Sequence, residues 1–458
     1  MSFSKENKKK KSSGRKPMNL YLVIVFAFLG IILFGTILLC LPVSSRSGNS
    51  CGFITALFTA TSSTCVTGLV LADTWSQWSG FGQVVLLCLI ETGGLGFMSI
   101  ASITFFAFKK RISMNERAVI AMAVGADDQS EAVRIQKKML AFSLSAEGLG
   151  ALALTLRFSK EYGILKALRL GIFHSVSAFC NAGFDILGFK TAGASVQIYG
   201  TDTAVIFILS FLIVFGGLGF IVWDEIFHIK SPKKWSVYTK LVIITTSVLL
   251  ISGTFFICVT EWNNPLTLGE MTVFEKIKAG FFQSVTVRTA GFAGIDQECM
   301  TDAGKAVSMF LMLIGGSSGS TAGGLKTVTF VVILLFLMSH FKGHENTNIF
   351  HRCIPQRYAL NALTIFGIMI FLSFFGAFFI CVTSPVSFTN ALYEAISALA
   401  TVGLTAGATP LLSLPAKLLI IIYMYFGRVG ILTISLGFFQ SKNSKEHFRY
   451  ANTDLMIG

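Results

Sequence analysis

The sequence predicts an all-α, polytopic membrane protein made of four repeats, each a long helix, a short re-entrant stretch and a second long helix. Three observations predict it. The 458-residue chain is 53% hydrophobic and only 13% charged, with a mean hydropathy of +0.70, whereas a soluble domain is roughly 25% charged. Its basic residues cluster at every second hydrophobic boundary. Short dips of small and polar residues, each with a glycine, recur at matched places between the apolar runs.

Residues 1–17 carry seven Lys/Arg and one Glu, a basic tail. The apolar stretch Met18–Pro42 is too long for a signal-peptide core and has no small-residue cleavage site, so it reads as the first membrane helix. Further long helices start near Met139, Tyr238 and Tyr358. Short stretches follow at 51–64, 166–179, 272–287 and 387–399, too short for a span of about 20 residues. Each runs into a dip, at Gly68, Gly183, Gly291 and Gly403. Second long helices are expected near 82–107, 203–227, 305–339 and 415–439. "GGLGF" stands at both 93–97 and 216–220, with "GG" at 315–316 and "GRVG" at 427–430 in matching places. One glycine pair in a helix signals close packing; four at matched positions signal a repeat.

The clusters "FKKR" (108–111), "RIQKK" (134–138) and "KSPKK" (230–234) and the tail from Gln440 then mark one side. By the positive-inside rule that side is cytoplasmic, with both termini there. The expected divisions are a basic tail 1–17, repeat 1 at 18–110, a cytosolic linker 111–135, repeat 2 at 136–229, repeat 3 at 236–340, repeat 4 at 356–440 and a tail 441–458.

The net charge of +14 sits in these loops, which argues for anionic lipid contact and against nucleic acid. Nine scattered cysteines without a C-x-x-C argue against a disulfide framework or a zinc site. The six histidines form no catalytic set; His174 is expected to be satisfied locally, and the spacing of His340, His344 and His351 is not a metal signature. "GSSGSTAGG" lacks the G-K-[ST] ending of a phosphate loop, so the chain is not expected to hydrolyse ATP. A membrane-embedded enzyme would need clustered acid, base or nucleophile groups near one interface, and the sequence shows none.

Non-helical backbone at membrane depth must be buried in protein or line a watery cavity. Each short helix would end at its dip, aiming its negative dipole end at the membrane centre, which favours a cation. The residues there are small or polar: Val66-Thr67-Gly68, Asn181-Ala182-Gly183, Thr289-Ala290-Gly291 and Thr401-Val402-Gly403. Their carbonyls could replace a cation's water shell, with glycine permitting the backbone geometry.

The stretches "TCVTGL", "FCNAGFD", "VRTAGF", "ATVGLT", "IGGSSGSTAGGLKT" and "YFGRVGILT" resemble the Trk/Ktr/HKT superfamily of potassium transporters, and within it a Ktr-type bacterial membrane subunit. The resemblance covers residues 18–440. It implies four M1–P–M2 units around one pore and K⁺ held by filter backbone carbonyls, with Na⁺ stimulation as a variant. The alternative within the superfamily is a Trk-type or sodium-permeable transporter. It also implies a homodimer in the bacterial cell membrane and a separate cytosolic ring of nucleotide-binding regulatory subunits, with no covalent cofactor.

The third repeat's second helix is expected to be broken over 315–326, because Gly315, Gly316, Ser317, Ser318, Gly319, Ser320, Thr321, Ala322, Gly323 and Gly324 make a poor continuous helix. The resemblance makes this loop a gate. Lys326 and Arg428 lie at membrane depth, where charges face a cavity or a partner; Arg428 matches the family's pore-facing arginine. Glu91, where the family pattern has glutamine, and Glu147 are each expected to pair with a basic group. Arg288 beside the third dip is read either as a filter neighbour or as an outward headgroup contact.

Overall fold

The computed structural model describes residues 20–96, 129–229, 231–344 and 346–430. The expected tails 1–17 and 441–458, linker residues 111–128, and the far ends of the second helices of repeats 1 and 4 lie outside the described residues.

One element order recurs four times. The first set is α1 (Leu20–Cys40), α2 (Phe53–Thr64), a single turn α3 (Thr74–Gln77) and α4 (Gly80–Gly94). Next come α5 (Gln129–Tyr162), α6 (Ile164–Phe179), α7 (Thr203–Leu218) and α8 (Phe220–His228). The third set is α9 (Val237–Glu261), α10 (Val273–Thr286), α11 (Asp302–Leu313) and α12 (Thr327–Phe341). A two-stranded hairpin, β1 (Thr347–Ile349) with β2 (Arg352–Ile354), leads to α13 (Gln356–Thr383), α14 (Phe388–Leu399) and α15 (Leu414–Val429).

The long first helices α1, α5, α9 and α13 are apolar and long enough to cross a membrane, and α7 with α8 would make a fifth span. Their outer faces leave Phe34, Leu149, Ile251 and Phe371 exposed, as a surface against lipid should. The short helices α2, α6, α10 and α14 are buried through their last turns, so they lie inside the bundle. Thr272 and Glu275 start α10 with a reciprocal capping box.

Between helices in lipid, close packing replaces the hydrophobic drive, so small residues set the contacts. One glycine in each first helix marks the crossing. A Cβ on Gly35 would come within 2.7 Å of Leu89, and one on Gly150 within 2.7 Å of Leu212. On Gly253 it would meet Leu311 at 2.9 Å, and on Gly376 it would meet Tyr423 at 2.6 Å. Each partner sits four residues before the glycine that opens its repeat's pair, so the four crossings are equivalent.

Two expectations need correction. The first helix of repeat 2 was expected to start near Met139, yet α5 begins at Gln129: its polar first turns continue the helix beyond the apolar stretch. The second helix of repeat 2 was expected to run unbroken over 203–227, but α7 and α8 meet at 94°. The break is Gly219, at φ 85 and ψ 153, a backbone region essentially reserved for glycine. A Cβ there would meet Ser317 Oγ at 2.7 Å, and the Phe220 amide donates to Gly319 O at 3.2 Å. So the expected gate loop sits in the notch of the break. Gly96 (φ 83) and Gly430 (φ 90), placed like Gly219 three residues after the first glycine of the pair, are also left-handed.

Gly219→Ala should therefore lower the melting temperature by several degrees, because that backbone costs a residue with a Cβ about 1–3 kcal/mol. Thermal unfolding in detergent checks it; an unchanged melting point would show that the break relaxes without cost.

Candidate functional site

The four dips form one constellation. Each short helix ends, and the chain then places two residues in the left-handed region with one between them. The first of each pair is not glycine: Val66 (φ 56), Asn181 (φ 59), Thr289 (φ 65) and Thr401 (φ 52). The second is always glycine: Gly68 (φ 99), Gly183 (φ 70), Gly291 (φ 80) and Gly403 (φ 93). Non-glycine residues persist there only where the surroundings over-determine them. Here the helix end does so. The amides of Thr67, Ala182 and Val402 donate to the carbonyls of Ser62, Ser177 and Ser397 at 2.7–2.8 Å. Hydroxyls of the last turn finish the clamp. Ser62 and Ser397 accept from the amides of Gly68 and Gly403 at 3.0 and 3.1 Å. Ser177 and Thr286 donate to the carbonyls of Phe184 and Phe292 at 2.7 and 2.8 Å.

The glycines face one another's neighbours in a closed cycle. A Cβ on Gly68 would lie 2.6 Å from Ala182 O, on Gly183 2.9 Å from Ala290 O, and on Gly291 2.7 Å from Val402 O. On Gly403 it would overlap Thr67 O. Among the described residues, no hydrogen-bond donor reaches the carbonyls of Thr67, Ala182, Ala290 or Val402. The buried hydroxyls of Thr67, Thr289 and Thr401 likewise have no partner. Buried polar groups are normally satisfied, so a ring of unsatisfied oxygens invites a positively charged or hydrogen-donating occupant.

On one side of the ring lies a cavity of about 460 Å³ lined by all four glycines and by Asp73, Asp185, Asp296 and Glu298. Burial pushes the Asp185 carboxyl up to about 6, although Leu187 donates its amide to it at 3.1 Å. Sequence reading missed these acids; the available signal was a carboxylate a few residues past the dip glycine in the first three repeats.

On the other side lies the 315–324 loop, with no helix between Leu313 and Thr327. Its ends are bridged, Gly315 N donating to Leu325 O at 2.9 Å. Gly315, Gly316, Ser317, Thr321, Ala322 and Gly323 are buried, Ser320 and Gly324 partly so, and Ser318 and Gly319 are exposed. The loop touches several of the short helices. Thr321 Oγ1 donates to Phe179 O at 3.0 Å, at the end of α6. Gly323 packs on Thr401 and Gly324 on Ala400 O, after α14. Lys326 Nζ donates back to Ala322 O at 2.7 Å.

The intramembrane charges correct the sequence expectations. Arg288 is buried and donates to Gly315 O at 3.2 Å, so it ties the third dip to the loop and does not reach outward. Arg428 donates to Gly94 O at 2.8 Å and also to the carbonyls of Gly93 and Thr321. Its guanidinium thus pins the loop to the end of α4. Among the described residues Glu91 and Glu147 pair with no basic group: they lie beside each other and Cys180, while the Arg428 guanidinium is spent on carbonyls. His174 is satisfied locally, as expected, its Nδ1 lying 2.8 Å from Leu170 O.

Interior short helices that stop around a shared ring of backbone oxygens are the construction of a membrane transport protein. The chain matches the TrkH family, described as "Cation transport protein", over residues 4–450, and it belongs to that family. It is 42% identical over 449 residues to the potassium/sodium uptake protein NtpJ of Enterococcus hirae, covering 97% of this chain and 98% of that one. It is 36% identical over 436 residues to the Ktr system potassium uptake protein B of Bacillus subtilis, covering 95% and 96%. Its fold matches the crystal structure of the potassium transporter TrkH from Vibrio parahaemolyticus with a TM-score of 0.72 at 17% identity, over 94% of this chain and 86% of that chain. The chain is a multi-pass membrane transporter, not an enzyme.

Proposed function

We propose that this chain is the ion-translocating subunit of a Ktr-type potassium uptake system, with four M1–P–M2 units, at 18–110, 136–229, 236–340 and 356–440, around a single pore. The closed cycle of dip glycines against unsatisfied carbonyls carries the reading. K⁺ enters from the acidic cavity, sheds water and is held by the carbonyls of residues 66–68, 181–183, 289–291 and 401–403. The negative ends of α2, α6, α10 and α14 stabilise it there. The 315–324 loop with Lys326 and Arg428 is the gate on the cytoplasmic side.

Relatives named as parts of a Ktr system support a separate regulatory partner; we assign to it a nucleotide-binding ring docked on the basic face, and to this chain a homodimer in the cell membrane with both termini cytoplasmic. A sodium-permeable or sodium-stimulated transporter is the second reading, favoured by the single glycine per repeat and by a relative named for both ions. The test is uptake of radioactive Rb⁺ into liposomes holding the purified chain. Uptake should be competed by K⁺ far better than by Na⁺. Equal competition would favour the second reading, and no cation-specific uptake would reject both.

The acidic mouth makes a pH prediction. A carboxyl titrating near 6 is charged above that pH and neutral below it, so external acid removes one negative charge from the entry cavity. Uptake at subsaturating K⁺ should fall by roughly a few-fold as external pH drops through that range. Asp185→Asn should show the low rate already at neutral pH, with a flatter profile. An unchanged profile in the variant would remove Asp185 from the entry path.

A further inference from the structure

The function above leaves one buried cluster unused. Cys180 Sγ lies 3.5 Å from Glu91 Oε2 and 3.9 Å from Glu147 Oε1, and one ligand atom from each of the three residues lies within 4.8 Å of the others. The three come from α4, from α5 and from the residue capping α6. Glu147 is only 5% exposed, and among the described residues its carboxylate has no partner outside this cluster. A buried carboxylate without a counter-charge is costly, and a second carboxylate beside it raises the cost. The negative end of α6 points at the same place. A bound cation relieves each of these features. Arg428 is close, but its donors are committed to Gly93, Gly94 and Thr321 carbonyls.

We propose that Glu91, Glu147 and Cys180 form a binding site for a thiophilic divalent cation of the Zn²⁺ type. One sulfur and two carboxylate oxygens are a zinc-like donor set. Tetrahedral bonds of about 2.3 Å to sulfur and about 2.1 Å to oxygen hold those atoms roughly 3.6 Å apart. The sulfur–oxygen distances of 3.5 and 3.9 Å bracket that separation. Glu91 is only partly buried and gives the ion a way in. On binding, the Cys180 thiol loses its proton to solvent and the thiolate bonds the metal. The occupied site clamps α4, α5 and the start of the second dip together, because Cys180 immediately precedes Asn181. That gives such an ion a handle on transport. Occupancy is read below without any flux, so its failure leaves the transport reading standing.

The experiment uses the full chain with Cys51, Cys88 and Cys353 replaced by serine, which removes the exposed thiols and one thiol of the Cys40–Cys51 neighbourhood. Cd²⁺ alone is the probe. Titration should give a saturable thiolate-to-Cd²⁺ charge-transfer band, with proton release and a rise in melting temperature that Mg²⁺ does not reproduce. Glu147→Gln and Glu91→Gln, both isosteric, should each weaken binding by about 100-fold, since even outer-shell changes cost 10–100-fold. No saturable band and no melting shift in the background protein would overturn the site without any substitution in it. Unaltered Cd²⁺ affinity in both glutamine variants would equally overturn it. A cluster that only exchanges a shared proton and takes no Cd²⁺ would also defeat the proposal.

Discussion

Gly403→Ser is expected to cut the preference for K⁺ over Na⁺ by about tenfold or more, a change of about 1.4 kcal/mol in relative ion stabilisation. The residue sits at φ 93, where a side chain alone costs about 1–3 kcal/mol. The added Cβ would also overlap Thr67 O, so it cannot be absorbed by a flexible neighbour. One of the two turns must move, and either movement displaces a carbonyl of the ring. The same argument applies to Gly291→Ser, whose Cβ would lie 2.7 Å from Val402 O. The long helices do not depend on either turn, so the variants should still reach the membrane. Gly30→Ser is the control, because nothing lies within 4 Å of its added Cβ. Flux of Rb⁺ and Na⁺ into liposomes measures the ratio. If both ring variants kept the native ratio, the ring would not be where the ion is chosen.

Much of this ring was legible because its physics is local. A helix too short to span, ending in small residues and glycine, has few places to go in a membrane. The observed short helices α2, α6, α10 and α14 fall within about two residues of their expected ends. The break in the second helix of repeat 2 was not legible, although the small-residue run 315–324 marked the one in repeat 3. "GGLG" and "GRVG" read as close packing, and so they are: a Cβ on Gly93, Gly216 or Gly427 would overlap the carbonyl of Thr64, Phe179 or Leu399. What the pattern does not reveal is that the next glycine, three residues on, turns left-handed. In repeat 2 that turn is where the loop of repeat 3 occupies the notch, a contact a hundred residues distant in sequence. The partners of Glu91 and Glu147 were misjudged for the same reason. Each was matched with a basic group, whereas Arg288 and Arg428 use carbonyl groups freed where helices end, and the glutamates meet across α4 and α5.

Those carbonyl contacts explain how the loop is held. Ser317 donates its amide to Gly217 O at 3.0 Å, Thr321 holds the end of α6, Arg288 of the same repeat grips Gly315, and Arg428 of repeat 4 grips Thr321. A loop of small residues has little packing of its own, so these bonds decide its position. Hydrogen bonds to charged groups are worth about 1.5–3 kcal/mol each. A few such bonds suffice to keep this position of the loop dominant. Tyr238, at the start of α9, donates to Ser318 O at 2.6 Å and ties α9 to the exposed tip of the loop.

Deleting residues 316–323 should raise cation flux by about tenfold or more and make it independent of any regulatory partner. The geometry makes this a clean test. Gly315 and Gly324 lie side by side, with the Gly324 Cβ position 3.4 Å from Gly315 Cα, and Ile314 and Leu325 are already bridged. Joining the ends therefore leaves α11 and α12 in place. Arg428 loses Thr321 but keeps the carbonyls of Gly93 and Gly94, so its charge stays satisfied. What goes is the segment beneath the ring. If it blocks the path about 99% of the time, its removal can raise flux up to about 100-fold, and a partner acting through it has nothing left to act on. Flux of purified, correctly inserted deletion protein, with and without the cytosolic fraction and nucleotide, measures both effects. A deletion that inserts normally yet transports at the native, still-regulated rate would make 315–324 a packed kink and place the gate elsewhere.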